Sequence, residues 1–393
     1  MLTFNDLRGQ PAKPGDPTLF EAPPVTRTFD APEFRGVTFY EVEAKSLLNR
    51  VPAASRMPFE WTVNVYRGCG HACRYCFARP THTYLNFSAG EDFENRIVVK
   101  VNAAEVLRRE LRRPTWGGQH VAMGTNTDPY QRCEGRYKLT RAVLEVFRDF
   151  RNPCSVLTKS PLLTRDLDLM TELREVAGFS AALSIGTLDE DAWRSTEPGT
   201  PHPRARIAAV RRLRVAGIEC GVLVAPILPG ISDSPDQLKA VVGAAADAGA
   251  THIAGITLHL RPGVKEVFMP WLEREHPELV AGYRRMYRGA NAPKEVRDTI
   301  SARVRSARAS ARARAGATGE VTAGATQGPD PAAPGGTARR EVDSEVEREG
   351  DAYRWRPPRP EAGRDGDPDT ERYDRRSGRG PDLAPRQLDL GLG

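Results

Sequence analysis

The chain has 393 residues, six cysteines and a formal charge of +6 at neutral pH, which is enough length for a barrel of roughly 200 to 250 residues and too few cysteines for a disulfide scaffold. No apolar run approaches the roughly 20 residues of a membrane span, and the opening MLTFNDLRGQPAKPGD lacks the apolar stretch of a secretory signal. The expected compartment is therefore a reducing cytoplasm, where clustered cysteines bind metal or do redox chemistry, and the positive balance suits a polyanionic partner.

Residues 1–45 are rich in proline, glycine and charge without a sustained period, so they read as an extended lead-in, with order beginning near FYEVEAKSLL. Across 46–262, short apolar runs alternate with amphipathic ones. WTVNVY, HVAMGT, CSVLT, SAALSIG, CGVLVAPI and THIAGITL read as strands. NAAEVLRRELRR, LTRAVLEVFRDF, TRDLDLMTELREVAG, PRARIAAVRRLRVAG and SPDQLKAVVGAAADAG read as helices, the first stopped by Pro114. Apolar strands bracketed by helices predict an α/β chain whose parallel sheet is buried on both faces. Six such units, with no glycine-rich dinucleotide turn, favour a partial (β/α)6 TIM-type barrel over an open sheet and put the chemistry at the strands' C-terminal ends. Residues 263–292 read as an extension of two amphipathic helices. From 293 to 393 Arg, Ala, Gly and Pro dominate, with too few large apolar residues to offset the ordering entropy of a fold, so a disordered tail is expected.

The stretch RGCGHACRYCFARP sets Cys69, Cys73 and Cys76 in one short loop after the first barrel strand, whereas Cys133, Cys154 and Cys220 stand alone. Structural zinc takes four ligands, usually as two pairs, and the second pair is missing. Three thiolates suit a cubic 4Fe-4S cluster, with three irons held by protein and the fourth left open to an outside ligand. Four residues fall at successive strand ends. Tyr75 offers a flat face for an adenine, or is ordinary barrel packing. In GTNTDPYQ the hydroxyls and the Asp128 carboxylate can accept from an ammonium group, or cap a loop. Lys159 can pair a carboxylate and Ser184 can meet a ribose hydroxyl; alone, each is equally a solvated lysine or a turn serine.

The spacing Cys-x3-Cys-x2-Cys, with Tyr75 before the last cysteine, resembles the radical S-adenosylmethionine (SAM) superfamily. The resemblance implies a 4Fe-4S cluster whose open iron chelates SAM, and an electron from a reductant such as flavodoxin or ferredoxin that cleaves it to methionine and a 5'-deoxyadenosyl radical. Over roughly 40–290, VNVYRGCGHACRYCFARPTHTYL, GTNTDPYQRCE, LTKS and PELVAGYRRMY look like the branch related to spore photoproduct lyase, which reverses a thymine dimer in DNA. By that resemblance Thr127, Lys159 and Ser184 fall at positions that contact SAM. The chain departs from the branch at Val65, where many relatives carry proline, and at Thr125 and Asn126, where the lyase carries a hydrogen-donating cysteine. A hydroxyl is a poor hydrogen-atom donor, so the lyase reaction itself is not carried over. Cys133, in the loop after the second strand, is a candidate replacement donor or an inert thiol; Cys154 and Cys220 read as core residues.

Basic runs at RRELRR and RARIAAVRRLR are solvated outer helix faces or phosphate contacts, and YRRMYRG interleaves aromatics with arginines as a base-stacking surface does. The closing Gln387, Leu388, Asp389, Leu390 and Leu392 resemble the short peptide by which bacterial repair and replication proteins dock on the DNA sliding clamp. The expected activity is hydrogen abstraction from a carbon centre in damaged DNA. The same chemistry on a protein or small molecule is the second reading, and a non-catalytic iron-sulfur module that binds nucleic acid is the third.

Overall fold

A computed structural model describes residues 24–52, 55 and 57–317. Its strands are β1 (Val25–Arg27), β2 (Thr38–Val42), β3 (Leu48–Arg50), β4 (Trp61–Val63), β5 (Tyr66–Arg67), β6 (Arg96–Lys100), β7 (Val121–Met123), β8 (Cys154–Thr158), β9 (Phe179–Ser184), β10 (Glu219–Ile227) and β11 (Ile253–Thr257). Its helices are α1 (Glu91–Asn95), α2 (Ala103–Leu111), α3 (Glu134–Tyr137), α4 (Leu139–Asp149), α5 (Leu167–Val176), α6 (Glu190–Thr196), α7 (Pro203–Val215), α8 (Pro235–Asp247), α9 (Lys265–Glu275), α10 (Val280–Met286) and α11 (Lys294–Ala317).

The six apolar runs read as strands lie side by side in the order β11-β10-β9-β8-β7-β4, all parallel, with β3 added antiparallel to β4 at the edge. Every residue of β9 is buried, as a strand covered on both faces requires. Three of the helices, α6, α7 and α8, start at side-chain caps. Ser234 and Gln237 form a reciprocal capping box at α8 with Pro235 at its first position, and the Asp189 carboxylate accepts from the Ala192 amide at α6. The result is the expected partial (β/α)6 barrel. Among the described residues no helix is long and apolar enough to cross a membrane.

Two expectations are corrected. The lead-in is folded from residue 24: β1 and β2 join β6 and β5 in a second sheet of order β1-β2-β6-β5, and Phe34 and Phe39 are buried in the main core. The partner of β2 is β6, more than 50 positions away in the chain, so no local pattern announces the pairing. The tail expected from residue 293 begins instead with the 24-residue helix α11. Ile300, Val304, Ala307 and Ala311 repeat at helical spacing and are buried where α11 packs on α8 and β11. Alanines carry that seam, so low apolar content does not register it. The approach is close: a Cβ on Gly255 would lie 2.8 Å from Val304 Cγ2. Residues 318–393, including the clamp-like segment 387–392, lie outside the described residues.

The predicted helical extension is present as α9 and α10. Phe268, Trp271, Leu272, Tyr283 and Tyr287 pack with Leu258 and Leu260 into a second core that also holds Cys73 and Tyr75. The extension therefore supports the cysteine loop from one side.

The small sheet contains an unusual burial. Lys100, the last residue of β6, is only 3% exposed, and its Nζ has no hydrogen-bond partner among the described residues. Burial, reinforced by the Arg67 charge, pushes its pKa down to about 7. The unfolded chain holds that proton up to about pH 10.4, so folding is penalised in full below about 7 and relieved as pH rises toward the unfolded value. Lys100→Met should therefore raise the chemical-denaturation midpoint at pH 7, and should remove part of the rise in stability between pH 7 and 10 that the parent chain shows. Equal or lower stability of the variant at pH 7, with an unchanged pH profile, would contradict this reading.

Candidate active site

A cavity of about 240 Å³ opens at the C-terminal ends of the parallel strands. Cys69, Cys73 and Cys76 line one end; Thr127, Asp128, Lys159 and Ser184 line its wall; Phe77 and Ile256 stand at its exposed mouth.

The cysteine loop is held almost entirely through its backbone. Gly68 enters it at φ +82°, and a Cβ there would lie 3.0 Å from both the Phe93 carbonyl and Ile97 Cδ1, so glycine answers both the angle and the space. The Cys69 amide donates to the Phe93 carbonyl at 2.9 Å. Arg79 is fully buried, donates to the Cys73 carbonyl at 2.9 and 3.0 Å and to the Ala89 and Gly90 carbonyls, and pairs with Glu94. Gln131 donates to the Gly68 carbonyl at 3.2 Å and accepts from the Gly70 amide at 3.0 Å. From the other side, the Gly199 amide donates to the His71 carbonyl at 3.1 Å and the Arg74 amide to the Thr196 carbonyl at 3.0 Å. The sulfurs themselves meet only backbone, as in the weak contact of Cys73 Sγ with the His71 carbonyl at 3.9 Å, and all three line the cavity.

The donor set fits a multi-iron cluster. Burial pushes all three thiols above their ordinary pKa, so as free side chains they stay protonated, and a bound cationic centre is what draws such protons off. Among the described residues, no three His, Cys, Asp or Glu side chains converge on a point as ligands of one ion would. Three thiols on one cavity suit a cluster in which each sulfur takes its own iron.

Every predicted wall residue lines the cavity, but the residues differ in how much of their polar capacity is free. Asp128 is fully engaged: it accepts from the Thr158 hydroxyl at 2.6 Å, the Lys159 amide at 2.7 Å and the Tyr130 amide at 2.9 Å, and it lies 3.3 Å from His71 Nδ1. Burial alone would raise its carboxyl; His71 and these donors outweigh it and hold it below its ordinary value. Thr127 donates to the Gly68 carbonyl at 2.6 Å and accepts from Gln131. Both residues thus lock the loop after β7 to the cysteine loop. Lys159 turns a held ammonium to the cavity: it donates to Ser184 Oγ at 2.8 Å and to the Ala225 carbonyl at 3.3 Å, lies 3.3 Å from the Glu197 carboxylate, and stands 5.7 Å from the centre of the Tyr75 ring.

Cys133 is not at the rim. It precedes α3, is 2% exposed within the main core, and does not line the cavity, which corrects its placement at the rim and favours the inert of its two readings. Its loop turns back under β5, where Tyr66 and Glu134 are buried with it. Cys154 and Cys220 are buried core residues, as expected. The aromatics of YRRMYRG are also corrected as a stacking surface, because Tyr283 and Tyr287 are buried and donate their hydroxyls to the Pro229 and Leu258 carbonyls.

Sequence reasoning missed Glu197 and Arg206. Arg206 sits in a basic helix read as solvated, yet it is fully buried and pairs with Glu197, which also accepts from Tyr75 and lies 3.3 Å from Lys159. The available signal was local: Arg206 follows Pro203 by three, on the turn that faces the sheet with Ala209, Val210 and Leu213.

A parallel partial barrel with this cysteine loop at its rim defines the class: the chain belongs to the radical SAM superfamily and is an enzyme of that class, and residues 63–241 match the superfamily's model. Such enzymes use a 4Fe-4S cluster with SAM and need a reductant. An uncharacterized protein of Mycobacterium tuberculosis is 48% identical over 299 residues, covering 76% of this chain and 88% of that protein. An uncharacterized protein of Acidianus two-tailed virus is 30% identical over 209 residues, covering 51% of this chain and 68% of that protein. Among solved structures, spore photoproduct lyase complexed with dinucleoside spore photoproduct shares the fold at a TM-score of 0.50 and 17% identity, covering 68% of this chain and 78% of that one.

Gly199 tests the grip on the loop. A Cβ there would lie 2.2 Å from the Gly70 carbonyl oxygen, so Gly199→Ala should displace the loop and lower the iron retained after anaerobic reconstitution, whereas Gly282→Ala, with open space around it, should leave iron content unchanged. Equal iron in both variants would show that the clamp does not set the loop.

Proposed function

We propose that this enzyme abstracts a hydrogen atom from a carbon centre of a substrate that presents a flat, uncharged group to the cavity mouth, with a base in damaged DNA as the favoured substrate. The observation that carries the radical chemistry is the convergence of Cys69, Cys73 and Cys76 with Lys159 and Ser184 on one cavity. In this reading the three cysteines hold the cluster, Lys159 receives the carboxylate of SAM, Ser184 meets its ribose and Tyr75 its adenine. The bound pair supplies a carbon radical when reduced. The chain's own work is to orient that pair, keep water out and leave a single opening to the substrate.

The DNA reading rests on three supports: the resemblance of the cysteine-loop and rim motifs to the lyase branch, the charge of +6, and the apolar mouth, where Phe77 is 53% and Ile256 43% exposed. An exposed ring such as Phe77 beside an opening is a stacking platform for a base. The lyase reaction is a poor fit at one point. The chain's cysteines are all described, and none besides the cluster three lines the cavity; Thr125 and Asn126 stand where a thiol donor would be. Sulfur of this chain therefore does not return the hydrogen.

Anaerobic reconstitution with iron and sulfide, followed by reduction in the presence of SAM, should yield 5'-deoxyadenosine, and Cys73→Ala should abolish both the chromophore and the product. Ultraviolet-damaged duplex should raise the yield over undamaged duplex. A chromophore without 5'-deoxyadenosine would favour the non-catalytic binding module, and stimulation by neither duplex would move the substrate to a protein or small molecule.

A further inference from the structure

Three of the residues assigned above to SAM share one buried anion that does not itself touch the cavity. Glu197 follows α6 in the segment TEPGTP and is 4% exposed. One carboxylate oxygen accepts from the Tyr75 hydroxyl and lies 3.3 Å from Lys159 Nζ. The other accepts from Arg206 and from the Thr200 hydroxyl at 3.1 Å. Arg206, also fully buried, donates to the Ser184 carbonyl at 3.1 Å and to the Pro201 carbonyl at 2.8 and 2.9 Å. A single network thus reaches Tyr75 on the cysteine loop, Lys159 after β8 and Ser184 at the end of β9. The backbone on either side of Glu197 is tied to the same loop by the Thr196 and Gly199 contacts.

Two cations, Lys159 and Arg206, meet the one Glu197 carboxylate, and of the two it is Lys159 that faces the cavity. The carboxylate of SAM is the ligand group that such an ammonium can receive. Burial would raise the Glu197 carboxyl, but Arg206 and Lys159 outweigh it and keep it ionised.

We propose that Glu197 is the positioning residue of the cosubstrate site: it holds the Lys159 ammonium beside the Tyr75 ring and sets the affinity for SAM through both, without contacting SAM. The proposal rests on the function given above and deepens it. Lys159 without Glu197 would keep only the neutral Ser184 and Ala225 contacts and lose its one charged partner, and Tyr75 would lose the hydroxyl contact that fixes its ring plane.

The test measures SAM binding to reconstituted protein with the cluster left unreduced, so that no turnover enters. Glu197→Gln keeps the shape and removes the charge. Its iron and sulfide content should match the parent, while its dissociation constant for SAM should rise about tenfold, and Glu197→Asp should recover part of the loss. Tyr75→Phe removes one arm of the network, and its effect on SAM affinity should be less than additive with Glu197→Gln. Parental SAM affinity in Glu197→Gln would overturn the proposal. So would a joint loss of iron, folding and binding in Glu197→Gln with strictly additive behaviour of Tyr75→Phe in Glu197→Asp, which would make Glu197 a general support of the fold. Failure of the parent chain to hold iron or bind SAM would instead defeat the functional reading, and it shows before any variant is made.

Discussion

The structure depends on keeping three thiols in one buried loop whose hydrogen-bond contacts to them come from backbone alone. Buried polar groups are ordinarily satisfied by the chain itself. Here the loop's backbone is satisfied instead: by Phe93 and Arg79 on one side, by Gln131 beneath, and by Thr196 and Gly199 on the other. Burial keeps the free thiols protonated, so the same enclosure that suits a cluster makes the empty loop apolar enough to fold.

A second layer of order lies behind the wall. Asp128 and Thr127 are spent on joining the loop after β7 to the cysteine loop, and Glu197 and Arg206 on joining the ends of β8 and β9 to it. The strand ends are therefore registered to the sulfurs by hydrogen bonds from carboxylates and guanidinium groups, which are stronger and more directional than packing. What faces the cavity is one ammonium held by Ser184, Ala225 and Glu197, a few hydroxyls and an apolar mouth. That combination suits a cosubstrate with a carboxylate and an aromatic base behind and a flat uncharged group in front.

Much of this was legible in the chain. The six parallel strands showed as continuous apolar runs because both their faces are buried, and the cluster loop showed because three cysteines fall within eight positions. The rim residues Lys159 and Ser184 followed from strand ends in a barrel. The small sheet did not show, because β2 and β6 are brief and meet only in space. Helix α11 did not show, because its buried seam is partly alanine and its arginines made it look like solvated chain. Glu197 and Arg206 were obscured for a related reason: each looks like surface charge until the fold buries the two against each other, and only the helical phase of Arg206 hinted otherwise. Cys133 faces the core and not the cavity, which the chain did not show because a loop residue near a rim has no periodicity to say which way it faces.

The central claim is that the cysteine loop leaves one metal corner open and that SAM fills it from the same cavity. Pulsed hyperfine spectroscopy of the reduced, frozen protein with isotope-labelled SAM tests this most directly. A coupling from the labelled amino nitrogen or carboxylate oxygen to the cluster is the predicted result. A cluster saturated by four protein donors, or bound SAM with no coupling to the iron, would contradict it.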